Sequence, residues 1–207
     1  MAHGLFFSLD GLDGAGKSTQ ARLLAEWLRQ QGHAVVTCVD PGGTAIGERI
    51  RELLLNREMT LPCEALLFMA SRAQLVAEVI RPALEAGKLV ISDRFLLANV
   101  VYQGHAGGLD PEQLWSIGRF ATGGLEPGLT LVLDMPLELA QTRRKATADR
   151  LESRDEAYHR RVRDGFLVES RRQPEHIRVV DASRSVEDVQ AAIRREVAHV
   201  LAARSRT

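Results

Sequence analysis

Residues 11–18, Gly11-Leu12-Asp13-Gly14-Ala15-Gly16-Lys17-Ser18, carry the spacing G-x-x-x-x-G-K-[ST]. Such a segment works only where a strand leads into it and a helix leads out. The glycines then let successive backbone N–H groups turn inward on an anion, and the new helix points its positive end at the same place. Both flanks are present. Leu5 to Leu9 is a short apolar run that reads as a buried strand. Residues 17–31 place Leu23, Leu24, Trp27 and Leu28 on one helical face and stop at Gly32. The segment is therefore a phosphate-binding loop, with Lys17 as its mobile cation and the Ser18 hydroxyl suited to ligate Mg²⁺. Gly11, Leu12, Asp13, Gly14, Ala15, Gly16, Lys17, Ser18 and Thr19 are the residues expected to wrap a nucleoside triphosphate.

The rest of the chain repeats this rhythm. Further apolar runs at 34–39, 89–92, 129–133 and 177–180 read as strands, each followed by helical pattern. Near-continuous apolar strands separated by helices make a parallel sheet covered on both faces. The expectation is an α/β fold, a doubly wound five-stranded parallel sheet, in one domain spanning residues 1–207. Helices are expected at about 45–56 and 62–86, with Pro62 in a first helical position, and a last helix is capped by Ser185 and Asp188.

Composition narrows the function. Lys+Arg and Asp+Glu are both 27, so the chain has no bulk attraction for nucleic acid or a membrane surface. Cys38 and Cys63 form no metal or disulfide pattern, and no apolar run reaches the ~18 residues of a membrane span. A cytoplasmic location follows as the expectation. Residues 141–172 hold nine arginines and one lysine against six acids. This is either a solvated helical face or, over about 141–156, a basic lid for phosphates. A GTPase would need Asn-Lys-x-Asp to read its base, and neither Asn56 nor Asn99 precedes a lysine.

The third strand runs into Asp93-Arg94-Phe95, a carboxylate suited to the Mg²⁺ shell beside a guanidinium suited to a second phosphate. Together with Asp10 to Thr19, Asp40-Pro41-Gly42-Gly43-Thr44, Tyr102-Gln103-Gly104 and Asp149-Arg150-Leu151-Glu152, these residues resemble the bacterial thymidylate kinases in order and spacing, over roughly residues 5 to 200. The resemblance implies transfer of the γ-phosphoryl group of ATP to dTMP, with Mg²⁺, in a homodimer. By position it implies that Arg94 and Arg51 clamp the acceptor phosphate, Phe68 stacks on thymine and Arg72 donates to a base carbonyl. It further implies that Asn99 reads the base edge, Tyr102 crowds the sugar 2′ position, Gln103 packs beside the base and Asp13 orients the acceptor. The lid is to supply a catalytic arginine, Arg143 or Arg144, with Lys145 and Arg150 nearby. Lys17, Arg94, Asp13 and these lid arginines are the catalytic candidates; Ser18 and Asp93 are the metal candidates.

The residues by themselves leave several of these roles open. At 100° per residue, Leu66, Ala73, Val76, Ala77, Ile80 and Leu84 share one stripe of the 62–86 helix. Phe68 and Arg72 lie on a flank about 100° away with Leu75 and Val79, so Phe68 alone reads as core. Asn99 with Tyr102, and Arg51, equally fit ordinary helix surface. The chain also departs from the family: Val39-Asp40 replaces a common Arg-Glu, which removes an arginine and shortens a carboxylate, and Phe95 stands where Tyr or His is frequent. A kinase for another nucleotide or metabolite, or an ATP-binding switch without an acceptor pocket, would share the phosphate loop.

Overall fold

The computed structural model describes residues 4–143 and 154–204. Five strands, β1 (Phe6–Gly11), β2 (Val35–Val39), β3 (Leu89–Asp93), β4 (Leu129–Asp134) and β5 (Ile177–Asp181), form one parallel sheet in the order β2-β3-β1-β4-β5. All six residues of the central β1 are buried, while β2, at an edge, is half-buried. The chain leaves β1 for one side of the sheet and returns through β4 on the other. A crevice therefore opens at the C-terminal ends of β1 and β3, where Leu9 lies in register with Asp93. This crevice receives both the phosphate loop and the Asp-Arg pair.

Helices cover the sheet: α1 (Lys17–Gln30), α2 (Ala45–Asn56), α3 (Leu61–Leu75), α4 (Arg81–Glu85), α5 (Leu96–Asn99), α6 (Pro111–Thr122), α7 (Leu137–Thr142), α8 (Glu156–Arg172) and α9 (Val186–Arg204). Helix α1 stops as expected, with Gly32 at φ 85°. Ser185 caps α9: its hydroxyl accepts from the Asp188 amide at 3.1 Å and donates to the Asp188 carboxylate at 2.8 Å.

Two features correct the sequence reading. The helix expected over 62–86 is three pieces, α3, a π-helical segment Val76–Ile80 and α4, and Pro62 is its second residue rather than its first. Its inward face matches the predicted stripe only in part. Val76 and Ile80 are buried as expected, but Leu66 is 56% exposed and Ala77 is exposed, whereas Ala65, Met69, Arg72 and Leu75, outside the stripe, are buried. A helix apolar around most of its girth has no decisive moment, and the π turn re-phases its second half. The second π-helical segment, Val100–Ala106, follows α5 and carries Tyr102 and Gln103 inward.

The described part of the basic run is mostly engaged in holding the fold. Arg163 makes paired bonds to Asp134 at 2.7 and 2.9 Å, Arg172 pairs with Glu169 and Glu112, and Arg161 donates to the Ala106 carbonyl at 3.1 Å. On α8 the charge run is therefore not simply the solvated face expected as the alternative to a lid: Arg161, Arg163 and Arg172 tie the helix to the rest of the fold. Arg144, Lys145 and Arg150 lie outside the described residues.

Candidate active site

The loop after β1 is shaped by its glycines. Gly14 has φ 88°, and a Cβ there would lie 2.2 Å from the Ala140 carbonyl oxygen. Gly16, also at φ 88°, is the N-cap of α1 and leaves the first N–H groups of that helix facing the crevice. Asp13, Gly14, Gly16, Lys17, Ser18 and Thr19 line the cavity, whereas Leu12 and Ala15 turn their side chains into the core and Gly11 ends β1. Gly11, Leu12 and Ala15 can therefore serve the loop only through their backbone. The Lys17 ammonium folds back to donate to the Leu12 carbonyl at 2.7 Å and sits 3.7 Å from Asp13. Burial, reinforced by Arg94, pushes Lys17 down to about 8 against the pull of Asp13, Asp93 and Asp10.

Beside the loop, the Ser18 hydroxyl donates to Asp93 at 2.5 Å. Two hard oxygens from separate elements thus meet where the phosphates would lie. Arg94 is the only non-glycine among the described residues with positive φ, 69°, a conformation in which any Cβ crowds the backbone and which needs outside support. That support is visible. Its N–H donates to the Leu9 carbonyl at 2.9 Å, its own carbonyl accepts from Ser92 at 2.6 Å, and its guanidinium bonds Gly11 O, Asp13 and the Tyr102 hydroxyl. The strained backbone aims the guanidinium back over the phosphate loop. Burial would raise the Asp13 carboxyl, but Arg94, Lys17 and the Tyr102 hydrogen bond outweigh it and hold Asp13 well below the usual carboxylate range. Tyr102, stacked under Arg94 at 4.8 Å, is pushed up by burial and stays neutral.

Beneath the loop, Asp10 is fully buried. Its Oδ1 has no hydrogen-bond partner among the described residues, and burial, only partly opposed by Arg94 and Lys17, raises it to about 7. The sequence reading assigned Asp10 no role.

The cavity holds about 730 Å³ and extends from the loop to Phe68, Arg72, Asn99, Tyr102 and Gln103, a size suited to a small-molecule ligand. Phe68 is half-buried and lines it, so it is not core. Arg72 is only 1% exposed; its Nε donates to Asp40 at 2.6 Å and its Nη1 to the Asn99 oxygen at 3.2 Å, and it lies 5.4 Å over the Phe95 ring. Asn99 and Tyr102 are likewise buried rather than on an ordinary helix surface. Arg51 lines the cavity and donates to the Pro41 carbonyl at 2.7 Å. Arg143 stands at its edge and donates to the Ala182 carbonyl at 3.1 Å. Every described acceptor-side candidate is brought to one cavity.

Sequence reasoning missed Asp40 and Glu64. The shortened carboxylate Asp40 does form an ion pair, with Arg72, and both are essentially inaccessible. Glu64 accepts from Gln103 at 2.9 Å and twice from Arg154 at 3.0 Å. Asp40 was flagged as a departure; for Glu64, a polar residue in an apolar helix four before Phe68, that placement was the available signal.

A family model described as thymidylate kinase matches residues 9–193. A thymidylate kinase of Symbiobacterium thermophilum is 52% identical over 206 residues, 98% of this chain and 96% of that one. One from Cupriavidus necator is 44% identical over 201 residues, 95% and 99% of the two chains. The crystal structure of thymidylate kinase from Ehrlichia chaffeensis superposes with a TM-score of 0.80 at 28% identity, covering 94% of this chain and 98% of that one.

Proposed function

The chain belongs to the thymidylate kinase family, and on that premise we propose that it transfers the γ-phosphoryl group of ATP to dTMP, giving dTDP and ADP. The observation that carries this is the single cavity joining the phosphate loop to Phe68, Arg72 and Asn99, with Arg94 between them. A nucleotide-binding switch needs no second pocket, and a bare ATPase needs no buried arginine at its far end.

The acceptor phosphate is already anionic at neutral pH, so no general base is required. The site has to hold two polyanions in line and neutralise charge as it develops. The inward N–H groups of residues 14–19 and Lys17 hold the donor phosphates. Arg94, fixed by Asp13 and Tyr102, meets the acceptor phosphate, with Arg51 behind it and Arg143 at the rim. Phe68 offers a stacking face to the base, Arg72 donates to its carbonyl, Asn99 reads the adjacent edge, Gln103 packs beside it and Tyr102 crowds the 2′ carbon. Ser18 and Asp93 fit Mg²⁺, which takes few protein oxygens and keeps water and phosphate as its other ligands; it would neutralise charge between the donor phosphates. No helix among the described residues is long and apolar enough to cross a membrane. The zero net charge and free cysteines support a cytoplasmic enzyme that does not bind nucleic acid. Ile46, Leu53 and Leu66, exposed on α2 and α3, support a homodimer through that face.

The test is ADP release with Mg-ATP and dTMP, dUMP, UMP or AMP in turn. dTMP is expected to stimulate most, with slow turnover when no acceptor is added. Release indifferent to acceptor, or favouring AMP, refutes the proposal.

A further inference from the structure

Behind the base end of the cavity a chain of hydrogen bonds runs from Arg72 to the start of α8. Arg72 Nη1 donates to the Asn99 oxygen at 3.2 Å, Asn99 Nδ2 to the Gln103 oxygen at 2.7 Å, and Gln103 Nε2 to Glu64 at 2.9 Å. Arg154 closes the far end with two bonds of 3.0 Å to the two Glu64 oxygens. Asn99, Gln103 and Glu64 are each no more than 2% exposed, so no bulk water can substitute for a missing partner.

The two ends of this chain have opposite and fixed character. A guanidinium only donates and a carboxylate only accepts, while each amide between them can face either way. Of the possible orientations of Asn99 and Gln103, one alone satisfies both ends: oxygen toward Arg72, nitrogen toward Glu64. That leaves a donor, Arg72, beside an acceptor, the second lone pair of the Asn99 oxygen, at the cavity wall. A pyrimidine with a 4-oxo group and an N3–H presents the complementary acceptor and donor. A 4-amino pyrimidine presents the reverse, so both of its edge groups meet their like.

We propose that Glu64 is a positioning residue for acceptor recognition: through Gln103 it holds the Asn99 oxygen beside Arg72, and so sets the preference for thymine over cytosine. This rests on the reading of Arg72 and Asn99 as the pair that meets the base. Glu64 itself never touches the nucleotide. Its charge is matched by Arg154, some ninety residues away in sequence, and not by the substrate.

The experiment measures kcat and KM for dTMP, dCMP and ATP, with melting temperature, in Glu64→Gln, Glu64→Leu, Gln103→Glu and the swap Glu64→Gln/Gln103→Glu. Leucine leaves the Gln103 donor unpaired, and KM for dTMP is expected to rise about tenfold, with the dTMP-over-dCMP preference falling by a similar factor and the loss sparing KM for ATP. Glutamine keeps the shape but accepts or donates indifferently, so it should lose preference by a smaller factor. Gln103→Glu alone opposes two carboxylates and should be worst. The swap restores an acceptor for Asn99 and a donor between the carboxylate and Arg154, and should recover much of the preference. If the Glu64 variants change only melting temperature, or weaken ATP and dTMP equally, or if the swap is no better than Gln103→Glu, the proposal is wrong. Arg72→Leu separates the underlying reading: no effect there on dTMP removes the base site itself, whereas an effect there with none at Glu64 removes only the relay.

Discussion

Asp40 and Arg72 form an ion pair whose members are almost inaccessible to water, and its two halves should fail differently when the other is removed. Asp40→Ala leaves a buried guanidinium that cannot shed its proton, at a cost of about 3–5 kcal/mol. For a chain of this length that is a fall in melting temperature of roughly 10 °C or more. Arg72→Met leaves a carboxyl that can escape by taking a proton. Burial already raises Asp40, with Arg72 the main opposing influence and Arg51 and Arg94 lesser ones. Without Arg72 the folded-state value climbs further above the unfolded value of about 3.9. The folded protein then binds the extra proton, so Arg72→Met is most stable below the ordinary carboxylate range and loses stability as pH rises through the folded value. The double variant Asp40→Leu/Arg72→Met removes both charges and should stand near or above wild type in stability, though not in activity. Urea unfolding followed by circular dichroism at pH 5 and pH 8 measures all three. A pH-independent Arg72→Met, or a double variant as weak as Asp40→Ala, would falsify the claim that this pair is shielded from solvent.

Lys17→Met should abolish phosphoryl transfer while leaving the circular dichroism spectrum and melting temperature close to wild type; near-normal turnover removes Lys17 from the mechanism. Because burial holds free Lys17 near 8, triphosphate binding at pH 8 should take up a substantial fraction of a proton and weaken as pH rises further. Calorimetry in buffers of different ionisation heat reads this directly, and a binding heat independent of buffer contradicts it. Arg94→Ala should raise KM for dTMP and lower kcat, each by about tenfold or more, and unchanged values for both take Arg94 out of the site. Asp10, raised to about 7 by burial, favours the folded state when protonated, so wild-type stability should decline from about pH 4 to pH 7. Asp10→Asn should remove that decline and gain a few kcal/mol at pH 8; an unaltered pH profile of unfolding shows that Asp10 is not the group responsible.

The phosphate loop was legible because its chemistry is local: eight consecutive residues carry the glycines, the lysine and the hydroxyl, and the flanking strand and helix are adjacent in sequence. The five strands were legible as apolar runs for a related reason, since burial on both faces of the inner strands admits few polar side chains. Asp93 and Arg94 stood out because they close such a run with two charges. The orientation of α3 was not legible. Leu66 and Phe68 are equally apolar, and periodicity cannot choose between two apolar faces or foresee a π turn at Val76–Ile80.

What the amino-acid order determined, then, is the set of elements and the anion cradle, since both depend on neighbours within a few residues. The tertiary structure decided which charges meet. Asp40 reaches Arg72 because β2 ends beside α3, and Glu64 reaches Arg154 because α3 and the start of α8 converge on the second π-helical segment. Arg94 adopts φ 69° because Leu9, Ser92, Asp13 and Tyr102 together hold it there. The pairings Asp40–Arg72, Glu64–Arg154 and Asp13–Arg94 depend on sheet order and chain closure, and no short window of sequence contains both partners.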